Sequence, residues 1–183
     1  MIKSNTGSLV RVFRGHLRGI YRVHEMPNGD LLTIGDDRTL RIWDRAGENH
    51  NILHAHVSWR QISITPSGII FAFAFPSNHQ HALYVWDEHH NLIRYLEKDR
   101  DNNWGDAILA LTSGYVLTLS NNGDMRMWYP HGAIYRVMKR HSHHVQAKEL
   151  KDGSVLSWGA SEYGVKNDDT TICLWSPDGH LIK

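Results

Sequence analysis

Histidine is the residue type with the most capacity for chemistry in this chain, which carries 14 of them in 183 residues. They cluster as His54 with His56, His79 with His81, His89-His90, and His141 with His143 and His144. Alternate residues of a strand share a face, so a His-x-His pair has the spacing to chelate a metal ion. No Cys or Glu accompanies these pairs at ligand spacing, and the closed ligand sets of metal sites are missing. We therefore expect no metal and read most of these histidines as solvated loop residues. A Gly-rich phosphate loop, a catalytic carboxylate pair and a Cys/His dyad are absent from the sequence. No catalytic residue is assigned, and no cofactor is expected.

Whatever these side chains do, short strands must position them. Leu31 to Asp44, LLTIGDDRTLRIWD, reads as two strands joined by a tight turn at Gly35-Asp36-Asp37-Arg38. Gly tolerates positive φ and Asp bonds its own backbone, which favours a hairpin there. The stretch recurs. Trp43, Trp86, Trp128 and Trp175 each end a strand-like run, at spacings of 43, 42 and 47 residues. Gly29, Gly68, Gly114 and Gly153 run in phase with them, and Gly47, Gly132 and Gly179 follow three of the tryptophans by four residues. A period of roughly 40–45 residues with four strands per unit is the signature of a propeller blade.

On these markers the chain resembles the WD-repeat family over nearly its whole length. Gly15-His16 opens the first unit and Trp43-Asp44 closes its third strand. Trp86-Asp87 repeats the dipeptide, while Trp128-Tyr129 and Trp175-Ser176 lose the Asp. The resemblance implies an all-β fold: a β-propeller or propeller segment, with four repeats of four-stranded antiparallel blades in one domain, 1–183. The units are read as roughly 16–56, 57–100, 101–140 and 141–183, with 1–15 an outer strand completing a blade. The family ties His, Ser or Thr, Asp and Trp into a buried hydrogen-bond set. Carried over by position, that set is His16, Thr33, Asp37 and Trp43 in unit one, and His141, Ser157, Asp169 and Trp175 in unit four. Unit three keeps Thr118 and Trp128, with Asn122 at the Asp position and Asp101 at the His position. Unit two keeps His56 and Trp86, with Gln80 replacing the Asp. Glu25 and Glu149, four residues before Gly29 and Gly153, fall on inner strands. There they would hold a cation in a channel or, the preferred reading, face water or pair with Arg22 or Lys148.

Leu9-Val10-Arg11-Val12 matches Ile134-Tyr135-Arg136-Val137, so the chain opens on an outer strand without the rest of its blade. Propellers have roughly 4–8 blades. Three closures stay open: a lone four-bladed ring, a homodimer completing an eight-bladed ring, and a piece of a longer array.

The remaining composition narrows the function classes. Formal net charge is +1 and basic residues are scattered, which argues against nucleic-acid binding. The most apolar run, Ile69 to Phe75, is too short to span a bilayer as a helix, and no membrane partner is expected. Cys173 is the single cysteine, which fits a reducing compartment, and we expect a cytoplasmic protein. Trp59 and Trp104 fall outside the third-strand position, in segments that enter units two and three. With the long loops Pro76–His81 and Gly159–Asp168 they mark one face. Trp59, Trp104, Arg60, His79 and Tyr163 are its expected partner-binding residues, with burial under the loop as the alternative for the tryptophans. The expected function is a non-enzymatic scaffold for protein–protein interaction. The second reading is a small-molecule, glycan or metal-binding propeller, with an enzyme using the central channel as its extreme form.

Overall fold

The structure is a computed structural model, and it describes residues 9–54, 58–75, 82–97, 107–142, 144–159 and 169–183. The chain divides into two compact units, Met1–Ala55 and His56–Lys183. No helix of the described residues is long and apolar enough to cross a membrane.

Unit Met1–Ala55 is one antiparallel sheet of four strands in chain order: β1 (Ile20–Glu25), β2 (Leu31–Gly35), β3 (Leu40–Trp43) and β4 (Asn49–His54). The β2/β3 hairpin pairs Leu31 with Trp43 and Ile34 with Leu40. Leu32, Ile34, Leu40, Ile42 and Trp43 of these central strands are buried. The flanking strand β1 leaves Tyr21 and Val23 exposed. Residues 9–16 form no strand, but Phe13 packs edge-on against Trp43, with ring centroids 6.0 Å apart.

Unit His56–Lys183 holds three sheets. The first is β5 (Ser58–Ile64), β6 (Ile70–Phe75), β7 (Ala82–Trp86) and β8 (Leu92–Glu97). The second is β9 (Ala107–Ala110), β10 (Val116–Leu119), β11 (Asp124–Trp128) and β12 (Ile134–Lys139). The third is β13 (Val145–Glu149), β14 (Val155–Gly159) and β15 (Ile172–Trp175), with a short return made by the Trp175–Leu181 bridge. Strands in the middle of a stacked sheet are covered on both faces, which is why Ile69 to Phe75 reads as an unbroken apolar run. Phe71, Phe73, Leu83 and Val85 of the first sheet meet Ile108, Val116 and Trp128 of the second. The other face of the second sheet, with Leu117, Met125 and Met127, meets Val145, Val155, Cys173 and Trp175 of the third.

Three sheets slip register at the tryptophan that ends the third strand: between Ile42 and Trp43, Val85 and Trp86, and Met127 and Trp128. A turn follows, with its fourth residue in the left-handed region. That residue is Gly132 (φ 80°) in one sheet and His90 (φ 67°) in another. Glycine adopts this conformation at little cost, whereas a side chain there is strained.

Candidate functional site

Two four-residue sets gather the side chains best suited to acid–base work. In the first sheet the loop before β1 brings His16 under the β2/β3 turn. His16 Nε2 lies 2.7 Å from Thr33 Oγ1, and His16 Nδ1 lies 3.0 and 2.9 Å from the two Asp37 oxygens. Trp43 Nε1–H donates to the same Thr33 hydroxyl at 2.7 Å. One proton assignment satisfies every group: indole to hydroxyl, hydroxyl to Nε2, and Nδ1–H to carboxylate. Asp37 also accepts the Leu17 N–H (2.9 Å), the Thr39 N–H (3.1 Å) and the Thr39 hydroxyl (2.7 Å). A Cβ at Gly35 would collide with the His16 ring and the Asp37 carboxylate, so the turn needs a glycine at that point.

The last sheet repeats the arrangement. His141 Nε2 is 2.8 Å from Ser157 Oγ, His141 Nδ1 is 2.7 Å from Asp169 Oδ2, and Trp175 Nε1–H donates to Ser157 at 2.8 Å. Asp169 caps its turn through the hydroxyl and N–H of Thr171 and the Ser142 N–H. Both carboxyls are held well below the usual carboxylate range. For Asp37 burial pushes the other way, but the N–H of Leu17 and the hydrogen bonds from Thr39 and His16 outweigh it. For Asp169 the Thr171 hydroxyl is the largest cause, opposed by burial and reinforced by the Thr171 N–H and His141.

The middle sheets keep less. In the second sheet of unit His56–Lys183, Trp128 donates to Thr118 at 2.9 Å, while Asn122 serves its own turn by accepting the Asp124 N–H at 3.1 Å. Asp101 lies outside the described residues. In the sheet of β5–β8, Ala72 stands where Thr33, Thr118 and Ser157 stand elsewhere, and so offers no hydroxyl. There Tyr84 stacks on Trp86 at 5.6 Å, and Trp59 lies against both rings at 5.3 and 5.8 Å. His56 and Gln80 lie outside the described residues.

This corrects the expectation of Trp59 as an exposed anchor. β5 begins at Ser58, which takes Trp59 into the sheet opposite Ala74 and leaves it 5% exposed. The small Ala74 and the aromatic neighbours make room for an indole, so burial gains more than display. Of the other partner-binding candidates, Trp104, His79 and Tyr163 lie outside the described residues, as does the side chain of Arg60. Glu149 gains a partner that neither reading named. Its carboxylate accepts the Thr112 N–H at 3.0 and 3.1 Å and the Thr112 hydroxyl at 2.6 Å, clamping two neighbouring sheets together. Among the described residues no group of three His, Cys, Asp or Glu side chains is placed to hold a metal ion.

Sequence reasoning missed a cluster at the turn end of β9–β12. Tyr115, Tyr129 and Tyr135 pack with centroids 4.9 to 5.8 Å apart, His131 stacks on Tyr129 at 5.2 Å, and Arg136 lies 5.5 Å from the Tyr135 ring centre. Tyr129 replacing the Asp after Trp128 was the available signal.

The model of the WD40 family (WD domain, G-beta repeat) matches residues 7–44. Among solved structures, the WD40 β-propeller domain of Doa1 matches 97% of this chain and 57% of that one with a TM-score of 0.61, at 16% identity. Residues 7–44 thus match one WD repeat, and the chain as a whole shares the fold of a WD40 propeller domain. Its fold is that of a β-propeller, and its sheets are blades, numbered one to four in chain order. Two relatives are similar over nearly the whole of this chain. Nuclear distribution protein PAC1 of Arthroderma otae is 22% identical over 98% of this chain, and the probable coatomer subunit beta' of Schizosaccharomyces pombe is 22% identical over 96%. The chain spans 34% and 25% of the length of these relatives.

Proposed function

We propose that this chain is a non-enzymatic WD-repeat platform that holds loops for protein partners in the cytoplasm. One observation carries the reading: the fate of Ser157, His141 and Asp169. Their distances are those of a nucleophile, its base and an orienting acid. Ser157 is 0% exposed, and its oxygen already takes the indole N–H of Trp175. A hydroxyl so buried and so engaged is closed to a substrate carbonyl. The set satisfies a buried indole, an imidazole and a carboxylate together, which is a structural task. Thr33 with His16 and Asp37 is spent in the same way.

With chemistry turned inward, the loops are left for function. Residues 55–57, 76–81, 98–106 and 160–168 join successive strands in the sequence and are the loops meant here. Trp104, Arg60, His79 and Tyr163 fall in or beside these segments and are the residues proposed to meet a partner. One relative is named as a coatomer subunit, which agrees with a platform role. The test shortens loops 76–81 and 160–168 to Gly-Ser turns and compares cross-linked proteins recovered from the native host. Tyr129→Ala, in the tyrosine cluster of β9–β12, is the control. Loss of recovered proteins with the short loops, and not with the control, supports the reading. Unchanged recovery with the short loops, or a measured turnover by the purified chain that Ser157→Ala abolishes, overturns it.

A further inference from the structure

The tripeptide Asn-Gly-Asp occurs twice, at residues 28–30 and 122–124. Each copy closes a five-residue turn of the same form. In blade one the Met26 N–H donates to the Asp30 carbonyl and the Gly29 N–H to the Met26 carbonyl, both at 2.8 Å. In blade three the Ser120 N–H donates to the Asp124 carbonyl at 2.9 Å, and the Gly123 N–H to the Ser120 carbonyl at 3.1 Å. The asparagine side-chain oxygen accepts the aspartate N–H in both, at 3.0 Å for Asn28 and 3.1 Å for Asn122. An asparagine before a glycine is open to attack by its own main chain, because no side chain shields the glycine nitrogen. The local chemistry is equal at the two sites, so what the fold sets against each turn decides their reactivity.

Blade three pins its copy. A Cβ at Gly123 would strike the His141 carbonyl oxygen, with the carbonyl carbon at 2.5 Å and the Ser142 nitrogen at 3.0 Å. The Asn121 carbonyl next to it accepts the His144 N–H at 2.9 Å. This turn cannot swing without lifting the main chain that lies on it. Blade one leaves its copy freer. The atoms nearest to a Cβ at Gly29 belong to the Arg45 side chain, with Nε at 2.5 Å and Cζ at 2.6 Å, and a side chain moves aside where a main chain does not. The place is open whatever lies beside the blade. Blade three has a sheet packed on each face, yet a Cβ at Gly114, in the turn that matches Gly29, would meet nothing within 4 Å.

We infer that Asn28 is a site of spontaneous deamidation promoted by Arg45, and that Asn122 is its protected counterpart. The Gly29 nitrogen loses its proton to hydroxide and attacks Asn28 Cγ. The N–Cγ bond forms, the Cγ–Nδ2 bond breaks, and ammonia leaves with a proton taken from water. Water then opens the five-membered imide at either carbonyl, which leaves aspartate or isoaspartate at position 28. Either product adds a carboxylate and lowers the formal net charge of +1 by one unit. The attack gathers negative charge first on the glycine nitrogen and then on the amide oxygen. The Asp30 N–H already bonds that oxygen, and the Arg45 guanidinium lies against the glycine, so both stabilise the charge as it forms. Ring closure also needs the glycine N–H to leave its turn bond. Blade one opens that turn alone, whereas blade three opens it only by displacing His141.

The test is peptide mapping by mass spectrometry of the full chain held for days in mild alkali, folded and in concentrated urea. In the folded chain Asn28 should convert about tenfold faster than Asn122, or more. In urea the two should convert at equal rates, since the tripeptide is the same. Arg45→Ala should slow Asn28 about fivefold at low salt, the effect of a full charge roughly 4 Å away in water. Arg45→Lys should restore the rate, and high salt should erase the difference between parent and Arg45→Ala. Continued protection of Asn122 shows that each variant is folded. A folded chain in which Asn122 converts as fast as Asn28 overturns the proposal, as does a gap between them that persists in urea. So does an Arg45→Ala chain in which Asn28 keeps the parent rate while Asn122 stays protected.

Discussion

Blades one and two bury the same side chain at the same place and satisfy it by opposite means. Trp43 and Trp86 both end a third strand, both at 1% exposure. Trp43 is held by a polar set, with Phe13 edge-on beside it: Thr33, His16 and Asp37 form a chain of short hydrogen bonds that anchors the segment before β1 to the β2/β3 turn. Around Trp86 the neighbours are aromatic: Tyr84, Trp59 and, beyond Tyr84, Tyr95 at 4.9 Å. One of the positions that separate the two designs is described in both sheets. Where blade one has the Thr33 hydroxyl, blade two has the Ala72 methyl. A hydroxyl there gives the indole N–H its acceptor, as Thr33 and Thr118 both show. A methyl leaves space that rings fill. The repeat therefore constrains the indole's position more tightly than the means of holding it.

The comparison is broken most severely by removing the ring unique to blade two. Trp59→Ala should cost about 3–5 kcal/mol, the range for emptying a buried aromatic site. Urea unfolding of the full chain measures it. A cost below 1 kcal/mol, the figure for an exposed anchor, would return Trp59 to the loop face.

A smaller effect is expected in blade one. Asp37→Asn deprives the His16 ring and the Leu17 and Thr39 N–H groups of a charged acceptor, and should cost about 1–3 kcal/mol at neutral pH. It should also change the acid response. The folded Asp37 carboxyl is depressed, so its stabilisation is complete above the unfolded value of about 3.9 and is lost as pH falls from there towards the folded value. Chemical melts from pH 7 down to pH 2 should show the parent losing stability below about pH 4, with the variant's curve flatter there. Parallel curves would mean that Asp37 does not titrate as a network member.

The smallest effect sharpens what the blades share. His90 takes the left-handed turn position that glycine takes in the other three blades. His90→Gly should stabilise by about 1 kcal/mol, the strain released less the entropy that glycine loses on folding. Thermal melting reads it. A loss of stability would show that the His90 ring earns its conformation through contacts.

The repeat was legible because its markers are local. A strand ending in Trp, a turn needing positive φ and a charged residue at a hairpin tip each act within a few residues of sequence. The four-strand order followed from those positions, and the membership of the His16 and His141 sets from the family resemblance that they carry. Trp59 was misread because its burial depends on Ala74 across the β5/β6 pair and on Tyr84 one strand further, and nothing beside Trp59 in the chain announces either. The tyrosine cluster escaped for the same reason, since Tyr115, Tyr129 and Tyr135 come from three successive strands.

The sequence by itself determined the period, the all-β class and the strand that each tryptophan ends, since backbone torsion and side-chain alternation are properties of neighbouring residues. Tertiary structure alone decided which polar groups are spent. Ser157, His141 and Asp169 would be a reactive set in the open. Packing Trp175 against the hydroxyl makes them a buried clasp. Glu149 was free to face water or a cation until the adjoining blade brought Thr112 within hydrogen-bond distance. Side-chain chemistry is written residue by residue, but its availability depends on what the fold sets against it, and that comes from segments distant in the chain.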